Sequence, residues 1–339
     1  MTRIYLDHAA TSPLRPEAKA AMEEGFVIWA NPSSPHAEGR KAKAALEDAR
    51  ERCKRALGWE GELIFTSGAS EALAIGLQRA KVERRIVSAA EHDAVFRAAP
   101  DAGIAPVEKG IVSLPNDPDN AVVAIQAVNS ETGAMVLELG DVAASVFRSG
   151  SVLLSDCSQA AGKSELPDCD MAVVSAHKLG GPIGIGALLV RDYALLEPSG
   201  GHERGYRHGT ENLPGALGMA AALEVGGQES WGTTSEQRAQ FMDRMVGNML
   251  VCGQVHCDYI YGLTHPSMSA QALLIRLDAM GFAVSAGSAC SSGTLKKSRV
   301  LDAFGVEDDV AARTIRVSLG WSTTPEELDA FADAWSSLT

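Results

Sequence analysis

Apolar and polar positions along the chain follow two periods. Short apolar runs at residues 2–6, 62–65, 85–88, 121–128, 152–154, 171–174 and 187–190 have the length of buried strands. Residues 15–29, 37–57, 72–80, 212–225, 235–250, 269–280 and 325–338 have the makeup of helices. Ala42, Leu46, Ala49, Cys53 and Leu57 mark one such helical face, which Gly58 closes. Asn31-Pro32-Ser33-Ser34-Pro35-His36 is compatible only with a loop. Through the middle of the chain a strand, a small-residue loop and a helix recur, which predicts an α/β fold with a mainly parallel sheet covered on both faces. The Gly/Ser/Thr-rich stretch 226–234 reads as a domain boundary. Beyond it lie helices, a poorly patterned segment to about Met268, a strand at 314–318 and a last helix, the ordering of a smaller α+β domain.

A length of 339 residues is enough for about two domains and a large core. The net charge of −13 argues against nucleic acid or an anionic membrane as partner. No apolar run approaches the roughly 20 residues of a membrane-spanning helix, and the N-terminus lacks the features of a signal peptide. A cytoplasmic protein is expected. Its six cysteines then do not imply a disulfide framework. Cys252, His256 and Cys257 lack a second pair at zinc-finger spacing, so no metal is expected.

Candidate chemistry gathers in loops that follow predicted strands, where parallel sheets place their ligands. These loops are 91–94, 129–133, 156–159 and 175–178. Lys178 sits just after a strand, in a turn rich in glycine, and a lysine amine condenses with an aldehyde. Pyridoxal 5'-phosphate (PLP) is an aldehyde and a phosphate ester, and each of its parts asks for a partner. Asp156 is placed to keep the ring nitrogen protonated. The turn before the helix at Ala69-Ser70, with Ser175 and His177, is an anion site of N–H groups and a helix dipole. His92 offers a flat partner for the ring. Arg316, on the apolar strand Thr314–Ser318, is the best clamp for a substrate carboxylate. Cys290 lies among small residues instead of in an apolar pattern, which marks an accessible thiol and a nucleophile.

With these residues assembled, the chain resembles the cysteine desulfurases, in the class V aminotransferases of PLP fold type I. The resemblance runs through Leu6–Thr11, Asn31–His36, Phe65–Glu71, Glu91–Val95, Asn129–Gly133, Asp156–Gln159, Ser175–Lys178, Gly200–Asn212, Gly287–Ser292 and Ile315–Gly320. It implies a seven-stranded, mainly parallel sheet in a large domain, residues 13–228, with residues 1–12 and 229–339 forming the small domain that carries the cysteine loop. It implies that Lys178 holds the cofactor and moves the substrate Cα proton. Asp156 would pair with the ring nitrogen, Gln159 and Asn129 would contact the ring oxygen or the substrate, and His92 would stack on the ring and assist proton transfer. Ala69, Ser70, Ser175 and His177 would hold the phosphate, joined by Thr210 from the other subunit of a homodimer. Arg316 would bind the carboxylate of L-cysteine, and Cys290 would take the sulfur as a persulfide for an acceptor protein, as in iron–sulfur cluster assembly. The alternative is another class V PLP enzyme, an aminotransferase or a selenocysteine lyase. Departures from the family pattern are Glu71-Ala72-Leu73-Ala74, where an acidic residue and an asparagine are usual, and Ser130, where many members have a second asparagine. A C-terminal end shorter than usual bears on docking to a standard scaffold.

Overall fold

The computed structural model describes residues 3–115, 118–135, 139–286 and 298–338. In chain order the strands are β1 Ile4–Tyr5, β2 Glu62–Thr66, β3 Arg84–Ser88, β4 Gly103–Ala105, β5 Val107–Glu108, β6 Ile111–Val112, β7 Ala121–Gln126, β8 Val152–Asp156, β9 Met171–Ser175, β10 Gly186–Val190, β11 Ile260–Thr264, β12 Phe282–Ala283 and β13 Thr314–Ser318. The helices are α1 Pro16–Ile28, α2 Ala37–Ala56, α3 Ala69–Arg79, α4 Asp93–Ala98, α5 Leu139–Arg148, α6 Leu213–Glu224, α7 Ser235–Met245, α8 Ala270–Ala279, α9 Arg299–Ala303, α10 Asp308–Ala311 and α11 Pro325–Leu338.

Seven strands form the central sheet in the order β2-β10-β9-β8-β7-β3-β4. From β9 to β4 every pair is parallel. Only β10 runs against its neighbours, β9 and β2. Side chains alternate across this sheet with the period of two that a strand imposes. Leu63, Phe65, Val123, Ile125, Leu153, Ala172, Val174, Ala187 and Leu189 enter one core with α2, α5 and α6. Ile64, Val122, Ala124, Leu154, Val173, Leu188 and Val190 enter the other with α3 and α4. Burial on both faces is why these strands read as continuous apolar runs.

Five expectations are corrected. The strand, loop and helix repeat stops after β7: turns follow β8, and a short 3-10 helix, Ala176–Lys178, follows β9. β10 returns antiparallel beside β9, a connection that needs no crossover helix. The poorly patterned segment before Met268 contains β11, whose apolar run is interrupted by Gly262; it pairs antiparallel with β13. The helix expected over 235–250 ends at Met245 and gives way to a 3-10 turn. The helix expected from Ala72 begins at Ala69, because small residues at its first turn hide its apolar spacing.

The N-terminus crosses to the C-terminal third of the chain. β1 pairs parallel with β12, and Asp7 bridges to Ser318 at the end of β13. This path brings residues 7–12 across the edge formed by the carboxyl ends of β8 and β9.

Candidate active site

Parallel register aligns the carboxyl ends of β7, β8 and β9: Gln126 pairs with Asp156, and Asp156 with Val173. Asp156, the last residue of β8, is buried, and its Oδ1 accepts from the Ser158 amide at 2.9 Å, which closes the following turn. Lys178 ends the 3-10 helix after β9. That turn is fixed from the N-terminal segment: Ser12 donates its amide to the His177 carbonyl at 2.7 Å and its hydroxyl to the Lys178 carbonyl at 3.2 Å. Burial pushes the Lys178 ammonium below the ordinary lysine range, the Asp156 carboxylate opposes this, and Arg316 adds to it. A lowered pKa raises the fraction of free amine, the form that attacks an aldehyde.

The turn between β2 and α3 forms one end of the site. Gly68 has φ of 151°, in the region that favours glycine. Opposite it, a Cβ on Gly186 would lie 2.6 Å from the Val174 carbonyl oxygen and 2.8 Å from Gly68 Cα. The missing side chain of Gly186 thus lets β10 lie against the turn, and Ala69 and Ser70 open α3 with first-turn N–H groups that have no intrahelical partner. Ser175 is buried at the end of β9. His177 Nδ1 lies 3.2 Å from Thr11 Oγ1, and burial, helped by the charges of Lys178 and Lys163, pushes its pKa down to about 4. Thr210 is exposed on this chain; its neighbour Arg207 is paired with Glu71 of α3 at 3.1 Å.

His92 caps α4. Its Nδ1 accepts from the Ala94 amide at 3.1 Å, so the neutral ring carries its proton on Nε2. Burial, and next the Lys178 charge, hold its pKa below the usual value. Gln159 donates Nε2 to the Ala9 carbonyl at 2.9 Å and accepts from Lys163 Nζ at 3.3 Å, which fixes the orientation of its amide. Asn129 is spent in its own turn: Oδ1 accepts from the Glu131 and Thr132 amides at 2.9 Å each, and Nδ2 faces the Ala90 carbonyl and Gln126 Oε1.

Arg316, on β13, is buried. It donates Nη1 to the Ser130 carbonyl at 2.9 Å and Nη2 to Asp7 Oδ1 at 2.8 Å. Its Nε is buried and has no partner among the described residues. An unspent buried donor costs ~1–3 kcal/mol, and a carboxylate reaching it would remove that cost. The arginine therefore does not face solvent from an edge strand. Cys290, the expected nucleophile, lies outside the described residues.

Sequence reasoning missed three participants. Lys163 is buried, lies 5.1 Å above the Tyr259 ring and holds Gln159; burial pushes its pKa down to about 7. Asp7 pairs with Arg316. Glu91 is buried, with Oε1 accepting from the Gln126 amide at 2.9 Å, and burial raises its pKa to about 8. The only signal for Lys163 is its spacing of four from Gln159; the other two need the fold.

The amine of Lys178, the carboxylate of Asp156 and the first-turn N–H groups of Ala69 and Ser70 match the aldehyde, ring nitrogen and phosphate of PLP. Fold and site together define a PLP-dependent enzyme of fold type I. The sequence pattern of the family described as aminotransferase class-V matches residues 4–331, and within it the chain belongs to the cysteine desulfurase family. It is 36% identical to a cysteine desulfurase of Frankia sp. (strain EuIK1), over 97% of this chain and 90% of that one. It is 30% identical to "cysteine desulfurase IscS 1" of Archaeoglobus fulgidus, covering 96% of this chain and 94% of that one. Among solved structures, a "NifS-like protein" superimposes with a TM-score of 0.87 at 27% identity, covering 99% of both chains. "SspA in complex with cysteine" superimposes with a TM-score of 0.78 at 26% identity, covering 95% of this chain and 100% of that one.

Proposed function

We propose that the protein removes sulfur from L-cysteine, releasing L-alanine and leaving a persulfide on Cys290 for an acceptor protein. The observation that carries this reading is the unspent Nε of Arg316, a carboxylate-binding donor within electrostatic reach of Lys178. PLP, when bound, supplies an electron-withdrawing ring that stabilises charge at the substrate Cα.

The chain's own residues do the rest. Lys178 would hold the cofactor and move the Cα proton, and burial, which lowers its pKa, favours the free amine that does so. Asp156 would keep the ring nitrogen protonated, and His92 would stack on the ring and offer its Nε2 proton for transfer. Gln159 would meet the ring oxygen with a fixed amide. Asn129 belongs to the site through its turn, which presents the Ser130 carbonyl to Arg316. Ala69, Ser70, Ser175 and His177 hold the phosphate. The Cys290 thiolate attacks the substrate sulfur: the S–S bond forms, the Cβ–S bond breaks, and its electron pair with a proton completes the methyl group of alanine.

Thr210 completes the partner subunit's phosphate site in a homodimer. Its exposure in one chain supports this, as do the exposed side chains of Phe26, Val27 and Trp29 near the end of α1 and of Ile183. We assign residues 13–228 to the large domain, and 1–12 with 229–339 to the small one, supported by the pairing of β1 with β12 and of Asp7 with Ser318. Action in the cytoplasm is part of the same reading, supported by five buried cysteines that remain free thiols among the described residues.

Purified holoenzyme given L-cysteine and a reductant should release sulfide and alanine in equal amounts. Cys290→Ser should lose the sulfide while keeping the visible band of the cofactor. Undiminished sulfide release by the serine variant would overturn the mechanism, and production of an oxoacid instead of alanine would favour an aminotransferase.

A further inference from the structure

In the turn that carries His92, between β3 and α4, the Ala89 and Glu91 amides donate to the Ala105 and Ser88 carbonyls at 2.9 and 3.3 Å. Three successive carbonyls along it are held by side chains from elsewhere. The Ala90 carbonyl accepts from Gln126 Nε2 and from Asn129 Nδ2. The two that flank it are taken by a single residue, Arg299, at the start of α9. Its Nη1 donates to the Ala89 carbonyl at 3.0 Å and its Nη2 to the Glu91 carbonyl at 2.8 Å. The same Nη2 meets Asp93 Oδ1 at 2.8 Å, and the guanidinium carbon lies 3.7 Å from the centre of the Phe96 ring. One side chain thus touches residues 89, 91, 93 and 96, on both sides of His92.

From this grip we infer that Arg299 is a positioning residue for His92, fixing the plane and height of its imidazole. The inference rests on the reading that His92 stacks on the cofactor ring. The chemistry suits arginine: its planar fork reaches two carbonyls at once and stacks on an aromatic face, which a lysine ammonium cannot do. Most of the hold comes from the carbonyls. Asp93 is mostly exposed, so its pair with Arg299 is screened and worth little. The neighbouring residue ties the same segment to a second loop of the site, since Ser298 donates its hydroxyl to Glu131 Oε2 at 2.6 Å while capping α9. The start of α9 therefore grips two of the strand-end loops. Where His92 stands is set by a residue more than two hundred positions away in the chain.

The test uses holoenzyme variants Arg299→Ala, Arg299→Lys and Asp93→Asn, each also combined with His92→Ala. Arg299→Ala should lower kcat about tenfold, with KM for cysteine within about twofold, because a misplaced group in the site slows the reaction more than it weakens ground-state binding. The visible circular dichroism band of the cofactor, which reports the asymmetry imposed on the ring, should shrink. Arg299→Lys should fall between, and Asp93→Asn should resemble wild type. In the His92→Ala background, Arg299→Ala should add almost nothing, since an effect routed through His92 is non-additive with its removal. Full additivity, or an unchanged dichroism band and kcat in a folded Arg299→Ala, would overturn the inference. If Arg299→Ala fails to fold, Arg299→Lys alone decides on the same two readouts. Wild-type protein that bound PLP but released no sulfide would instead contradict the functional reading, which separates the two failures.

Discussion

Arg316 ends its reach with one nitrogen, Nε, that has no partner among the described residues. Nη1 and Nη2 are taken by the Ser130 carbonyl and Asp7, so the side chain is aimed before any substrate arrives, and Nε is left for a carboxylate. Arg316→Lys keeps the charge but loses the fork. A charged hydrogen bond contributes about 1.5–3 kcal/mol, so KM for cysteine should rise roughly ten- to a hundredfold. The cofactor's visible band should be unchanged, and a variant with wild-type KM would remove Arg316 from the carboxylate site. At this scale much was legible. Lys178, Asp156 and His92 each follow a strand that the hydrophobic pattern marks, so their meeting at one sheet edge follows from parallel topology. Lys163 and Glu91 were not legible, because burial makes them unusual and burial is a property of the fold. Asn129 was legible as a member of the site but not as the residue that builds its own turn.

The elements reach their places through close contact as much as through apolar burial. Strand β10 lies against the turn before α3 because Gly186 has no side chain there. Gly186→Ala would push a methyl group into the Val174 carbonyl and the Gly68 backbone. Overpacking of this kind costs ~1–3 kcal/mol, and the first turn of α3 should move with it. The expected result is a lower Tm and weaker PLP affinity, both measured on the apo-protein titrated with cofactor; unchanged values for both would show that the cradle is not set by this contact. The strands of the large sheet were legible because burial on both faces makes each an apolar run. β4, with three residues, is too short to show a period, and β11 is broken by Gly262. The antiparallel return of β10 leaves no local signal, since direction is a property of pairs of strands.

Across the whole molecule, the N-terminal segment joins the sheet edge to the C-terminal third, and His8 is buried at that junction. It lies 3.1 Å from Ser12 Oγ and 3.4 Å from Thr323 Oγ1, and a Cβ on Gly320 would lie 2.1 Å from its Nδ1. Burial first, then the Lys163 charge, push its pKa down to about 3. An unfolded histidine takes up a proton near pH ~6.5, so as pH falls from there towards 3 the unfolded state binds a proton that the fold refuses, and stability is lost. Urea unfolding at pH 7, 5 and 4 should show a smaller loss for His8→Gln than for wild type. Parallel losses would mean that this histidine is not held neutral by the fold. Fold class and cofactor were legible at this scale, because ten short segments in order carry the family pattern. The joining of residues 7–12 to β13 was not, since the two lie about three hundred residues apart in sequence. The central claim, that sulfur passes from cysteine to Cys290 on an enzyme organised around Lys178, is tested most directly by the mass of the protein after reaction with one equivalent of L-cysteine and no reductant. The account predicts a gain of one sulfur atom that maps to Cys290, disappears on adding reductant and is absent from Cys290→Ser. A gain that persists in the serine variant, or alanine release with no sulfur on the protein, would contradict it.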